Sequence, residues 1–268
     1  MSQSLQRIRS LLDGHPWSEQ IHYFESVDST NTLAKKMAAS GAPAGTVLIA
    51  DRQTAGRGRM GRSFLSPGGM GVYLSLILRP DCPPAFLMHL TCAAAVAACD
   101  AVENAYGFRP KIKWTNDLVW SRKKLAGILT ELSLDPKTGK VDHAVIGIGV
   151  NCRQTTEDLD PSIRDMACSA RMIAGDDVDR EALCAQLIRS FYTMDQGLFS
   201  QKNAIMERYR SDCMTVGQHI SIQHGDQFRH GVATGITDDG SLAVTYDDQS
   251  RGIVQSGEVS VRGLYGYV

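Results

Sequence analysis

No stretch of this 268-residue chain approaches the roughly 18 uninterrupted apolar residues of a membrane-crossing helix, and the N-terminus has no basic segment leading into an apolar one. The expected address is therefore cytoplasmic, with no membrane partner. Charge of one sign is lacking too. The 28 Lys and Arg offset 29 Asp and Glu, for a formal net charge of −1, which excludes a surface that holds nucleic acid by bulk charge. The seven cysteines include no C-x-x-C pair and no zinc-ligand spacing, so reduced core cysteines and no structural metal are expected. The histidines are equally scattered. His219, His224 and His230 come nearest to a cluster, but irregular spacing in a turn-rich region favours surface positions over ligands. Only about twenty residues precede the first expected strand, too few for a three-helix DNA-reading unit, so no DNA partner is expected.

What the chain does have is a cationic stretch, Asp51 to Gly69, with Arg52, Arg57, Arg59 and Arg62 among five glycines. Glycines bring backbone N–H groups close to a ligand, and guanidinium forks bind carboxylate or phosphate oxygens. Gly56, Gly58 and Gly61 also satisfy Gly-x-Gly-x-x-Gly, the dinucleotide-binding pattern. That reading fails on context, because the fingerprint needs a helix next and Gly71 to Leu78 reads as a second strand after Thr46 to Ala50. The stretch is a loop between strands, a mobile anion trap. A solvated Arg-Gly surface loop is the plain alternative.

Elsewhere, Ser4 to Leu12 has helical spacing, and Ile21 to Glu25 reads as a strand. Asp28-Ser29-Thr30-Asn31 opens a helix that stops near Gly41, by simple capping or as an anion- or carbonyl-binding helix start. Pro84 to Tyr106 reads as a long buried helix. Lys111 to Trp114 and Leu118 to Trp120 form an expected hairpin around Thr115-Asn116-Asp117. Strands over Leu125 to Glu131 and Val145 to Asn151 carry glycines, explained by a ligand wall. Helical spacing returns from Asp160 to Met214, and short alternating strands follow from Gly217, the pattern of a small antiparallel barrel. The fold class is thus α+β, with a mixed-sheet unit over 1–214 and a small β-barrel over 215–268.

The Gly-Arg-Gly-Arg-x-Gly-Arg run from Gly56 to Arg62, with Ser29-Thr30-Asn31, Gln53, Trp114-Thr115-Asn116-Asp117, Lys124-Leu125-Ala126-Gly127 and Asn151, resembles the biotin–protein ligase family over nearly the whole chain. The resemblance implies a class II synthetase-like, lipoate ligase-like catalytic fold. It implies ATP and biotin as substrates with Mg²⁺, formation of biotinyl-5′-AMP, and transfer to a lysine of a biotin carboxyl carrier protein domain. It leaves monomer or homodimer open.

Carried over by position, Ser29, Thr30, Asn31, Gln53, Gly56, Arg57, Gly58, Arg59, Lys124 and Gly127 would bind biotin. Lys124, Arg59 and Asp117 would be catalytic, with Asp117 also the Mg²⁺ ligand. Arg62, Phe64, Asn116 and Asn151 would hold the nucleotide. Two departures stand out, Phe64 where the family often has tryptophan and Thr115 where it often has proline. The rivals are a lipoate or octanoate protein ligase and a non-enzymatic nucleic-acid binder. Three arginines, no lysine and an excess of acids beyond Gly217 count against the binder.

Overall fold

The computed structural model describes residues 2–255 and 260–263. Helix α1 (Gln3–Leu11) is capped by Ser2 and leads to strand β1 (Ile21–Val27). Helix α2 (Thr30–Ala39) follows, with Ser29 as N-cap, and returns the chain to β2 (Val47–Gln53), parallel to β1. After the Arg-Gly segment come β3 (Gly71–Leu78) and α3 (Leu90–Tyr106), which ends on Gly107 in the left-handed conformation. The short strands β4 (Lys111–Lys113) and β5 (Asp117–Trp120) make the expected hairpin. Two long strands follow, β6 (Lys123–Leu134) and β7 (Val141–Asn151). The stretch of helical spacing, Asp160 to Met214, holds α4 (Ala170–Ala174), α5 (Arg180–Gly197) and α6 (Lys202–Asp212).

These strands form one seven-stranded mixed sheet, ordered β1-β2-β3-β7-β6-β5-β4. Ala34 and Ala38 of α2 pack with Leu48, Ile77 and Val145 on one face, while α3 and α5 pack together over the other. The alanines of α3 permit that close approach. By length and apolarity α3 with its preceding turn would span a membrane, yet most of it is buried inside the fold.

The terminal strands are β8 (His219–His224), β9 (Gln227–Ile236), β10 (Leu242–Tyr246), β11 (Arg251–Val254) and β12 (Ser260–Gly263). They pair antiparallel in the order β11-β10-β9-β8-β12. The expected barrel is corrected to an open sheet, because among the described residues no pairing joins β11 to β12.

Pairing register fixes the site. Side chains two apart on a strand share a face, so the α2 face carries one row of Ala50, Tyr73, Gly149, Gly127 and Asp117 across β2, β3, β7, β6 and β5. The next row runs Leu48, Ser75, Gly147 and Leu129, and a third runs Ile77, Val145 and Glu131. Gly127, Gly147 and Gly149 therefore leave a hollow in the middle of an otherwise filled sheet face.

Candidate active site

Over that hollow lies a cavity of about 510 Å³, within the usual range for small-ligand sites. Three groups stand over the glycine floor. A Cβ on Gly147 would sit 1.9 Å from Asn31 Oδ1, one on Gly149 would sit 2.5 Å from the Phe64 ring, and one on Gly127 would sit 3.1 Å from Lys124 Nζ. Side chains occupy the space that the glycines give up.

Over β2, β3 and β7 the lining is polar and uncharged. Thr30 donates from its N (2.9 Å) and hydroxyl (3.1 Å) to Gln53 Oε1, and Gln53 Nε2 donates to Ser66 Oγ at 2.8 Å. Asn31 Nδ2 donates to Leu129 O and to a Glu131 carboxylate oxygen, which turns its Oδ1 toward the Ser75 hydroxyl at 2.6 Å. Ser75 is fully buried and Thr30 and Asn31 nearly so, so each buried polar atom is held by a neighbour.

Over β6 and β5 the lining is cationic. Lys124 Nζ donates to Asp117 Oδ1 at 2.6 Å, and Arg59 Nη1 donates to Asn116 Oδ1 at 3.0 Å. Asn116 Nδ2 in turn donates to Ile128 O at 2.7 Å, which sets its oxygen toward Arg59. Burial lowers the Arg59 pKa, opposed by the Asp117 charge, and the guanidinium stays charged. Its Nη2 is buried without a protein acceptor, a donor left for an anion. Lys113 also lines the cavity and is only 7% exposed.

The Arg-Gly segment, expected as a loop between strands, is folded on itself as a zipped ribbon over the cavity. Gln53 pairs with Ser66, Gly56 O accepts from Phe64 N at 2.9 Å, and Gly58 N donates to Arg62 O at 2.7 Å. At its feet, the Asp51 carboxylate accepts from Gly69 N at 3.1 Å and from Arg180 Nη2 at 2.9 Å, while Arg180 Nε donates to Gly71 O at 2.8 Å.

The chain has known relatives. Residues 23–151 match the family described as biotin/lipoate A/B protein ligase, and residues 215–262 match the biotin protein ligase C-terminal domain. A biotin–[acetyl-CoA-carboxylase] ligase of Mycobacterium tuberculosis is 31% identical, covering 94% of each chain. The chain belongs to the biotin protein ligase family. The bifunctional ligase/repressor BirA of Bacillus subtilis is 35% identical over 88% of this chain and 72% of its own. Among solved structures, the Aquifex aeolicus biotin protein ligase in complex with biotin and ATP superposes with a TM-score of 0.76 at 28% identity, covering 91% of this chain and 98% of that one.

Within this family fold, the cavity gathers Ser29, Thr30, Asn31, Gln53, Arg57, Gly58, Arg59, Arg62, Phe64, Asn116, Asp117, Lys124 and Gly127 from the sequence-derived set. Gly56 and Asn151 are not among its lining residues. Gly56 is where the ribbon crosses itself, since a Cβ there would meet Phe64 O at 2.3 Å. Asn151 Nδ2 donates to Cys168 O at 3.0 Å. Because Lys124 N and O bond Met166 O and Cys168 N, Asn151 holds the segment that pins Lys124. Arg57 is turned to Glu131, its two Nη atoms each 3.2 Å from a carboxylate oxygen.

Sequence reading missed Lys113, Ser66, Ser75 and Glu131. Ser75 left one signal, a lone serine in the apolar strand Gly71–Leu78. Glu131 left none, because a charge near a strand end reads as solvated.

Proposed function

We propose that this chain activates biotin with ATP to give biotinyl-5′-AMP and pyrophosphate, then transfers the biotinyl group to a lysine of a carrier domain of a biotin-dependent carboxylase. The observation that carries the reading is the division of one cavity across the sheet. Uncharged donors and acceptors lie over β2, β3 and β7, cations lie over β6 and β5, and a glycine floor runs between them.

A flat ureido ring suits the first end, where Ser29, Thr30, Asn31 and Gln53 would hold it. A carboxylate and a phosphate suit the second. There Arg59 and Lys124 would draw together two anions that repel in water, and Arg62, Phe64 and Asn116 would seat the nucleotide. One carboxylate oxygen attacks the α-phosphorus, the bond to the pyrophosphate oxygen breaks, and pyrophosphate leaves. Positioning and neutralisation carry this step. In the second step the carrier's neutral amine attacks the acyl carbon, the bond to the AMP oxygen breaks, and the amine loses a proton. Asp117 would receive it. The ribbon over the cavity would keep water from the adenylate.

Among the described residues no group of three or more His, Cys, Asp or Glu could hold a metal. Among the described residues Asp117 is the one carboxylate in the lining, and it is already bonded to Lys124. A single carboxylate suffices only for Mg²⁺ already held by phosphates. Mg²⁺ is therefore taken as part of the nucleotide substrate, with Asp117 beside it. The same reading assigns catalysis to residues 1–214 and a supporting module to 215–268.

ATP–pyrophosphate exchange tests it. Exchange that needs biotin and fails with lipoate is expected. Exchange with lipoate alone would move the chain to the lipoate branch, and exchange with neither acid would overturn the reading.

A further inference from the structure

Glu131 lies outside the cavity lining, yet its carboxylate joins three separate elements. It stands on β6 in the row with Ile77 and Val145, on the face covered by α2. Lys35 Nζ of α2 donates to Oε1 at 2.9 Å and Asn31 Nδ2 to Oε2 at 3.1 Å. The third element is the ribbon, through the two-pronged Arg57 contact.

Parallel N–H to O bonds fix the guanidinium plane as well as its distance. The Glu131 side chain is 18% exposed and that of Arg57 44%, so the carboxylate end of the pair is shielded while the guanidinium end meets solvent. Burial raises the Glu131 pKa, but the hydrogen bonds from Lys35 and Asn31 and the Arg57 charge outweigh it and hold the carboxyl below its usual range.

The arrangement has two consequences for the cavity. Asn31 has its amide end taken by Leu129 O and Glu131, so its oxygen is committed to Ser75. Arg57, next to Gly58 and Arg59 in the lining, is anchored at its tip, which fixes where the following residues of the ribbon lie. We propose that Glu131 is a positioning residue of the reaction, seating the ribbon over the cavity by docking Arg57 and orienting Asn31 at the same time. Arg57 thereby serves through its anchor rather than as a phosphate ligand. The proposal rests on the ligase reading for its kinetic arm and on geometry alone for its structural arm.

A double-mutant cycle on the full chain tests both arms, with Glu131→Gln, Arg57→Gln and the pair together. The structural arm is chymotryptic cleavage after Leu65, an exposed ribbon residue. Each single substitution should speed cleavage about fivefold, and the double should be no faster than either single, because the two residues act as one contact. The kinetic arm is biotin-dependent exchange. Each single should raise KM for biotin about fivefold with kcat within about twofold, again without addition in the double. Lys35→Gln removes a partner of Glu131 that does not touch the ribbon, and should leave the cleavage rate at the wild-type value.

Additive effects, or unchanged cleavage in Glu131→Gln, would overturn the proposal. Faster cleavage in Lys35→Gln would do the same by reducing Glu131 to general packing. If the wild type shows no exchange at all, the ligase reading fails while the cleavage cycle still decides the docking.

Discussion

The indole Nε1 of Trp114 donates to the carbonyl oxygen of Gly240 at 2.8 Å. Trp114 lines the cavity, and Gly240 lies in the turn between β9 and β10, so one buried hydrogen bond ties the seven-stranded sheet to the terminal one. Trp114 N also donates to Thr215 Oγ1 at 2.9 Å, at the start of the terminal module. Trp114→Phe keeps an aromatic ring and removes the indole donor. Leaving a buried acceptor unpaired costs about 1–3 kcal/mol, so a fall in Tm of roughly 2–10 °C is expected by calorimetry. A variant as stable as wild type would show that the bond does not hold the two sheets together.

Lys124 and Arg59 should both matter to the chemical step, through different partners. Each replacement by Ala removes charge-assisted contacts of about 1.5–3 kcal/mol, or roughly 10- to 100-fold in exchange rate. Lys124→Ala should fall on kcat as well as KM, and it leaves Asp117 without its bonded cation. Wild-type exchange by Lys124→Ala would remove it from the catalytic set.

Much of this site was legible because its chemistry is local in sequence. Arg57, Arg59 and Arg62 sit in one run, Ser29 to Asn31 in another, and Asn116, Asp117 and Lys124 within one hairpin and the strand that follows it. Glu131, Ser75 and Lys113 acquire meaning only through pairing register, which composition does not reveal. The same limit explains the barrel. Alternation finds short antiparallel strands, but closure depends on whether β11 meets β12, a relation between edges far apart in sequence. Gly56 and Asn151 belonged to the right segments, yet the backbone turned one into a crossing point and the other toward Cys168.

Gly147→Ala tests the floor directly. The new methyl would lie 1.9 Å from Asn31 Oδ1, closer than any real contact, so Asn31 must leave its bonds to Ser75 and Glu131. Overpacking of this kind costs about 1–3 kcal/mol, and a larger loss is expected in biotin affinity than in stability. Isothermal titration and thermal melts on the same sample separate the two. Unchanged affinity would place the ligand away from Asn31.

Acid should weaken the fold through His89, outside the cavity lining. The side chain, at the N-cap of α3, is fully buried, with Nε2 donating to Leu198 O at 2.9 Å. Burial lowers its pKa more than that hydrogen bond raises it. The unfolded chain takes up this proton near pH 6.5 while the folded chain resists it, so His89 costs nothing above that pH and lowers stability as pH falls below it. Denaturant melts from pH 7.5 to 5 should show that slope, and His89→Gln should flatten it. An equal slope in the variant would assign the acid sensitivity to other groups.

The glycine floor also has a genetic consequence. Every single-base change in a glycine codon that still encodes an amino acid either is silent or brings in a residue with a Cβ. At Gly147 and Gly149 that atom falls within 3.0 Å of Asn31 or Phe64. Any missense allele at these two codons therefore narrows the cavity, conservative or not, whereas a Cβ on Gly127 meets the flexible end of Lys124 at 3.1 Å and Asp117 Oδ1 at 3.5 Å and has somewhat more room to vary.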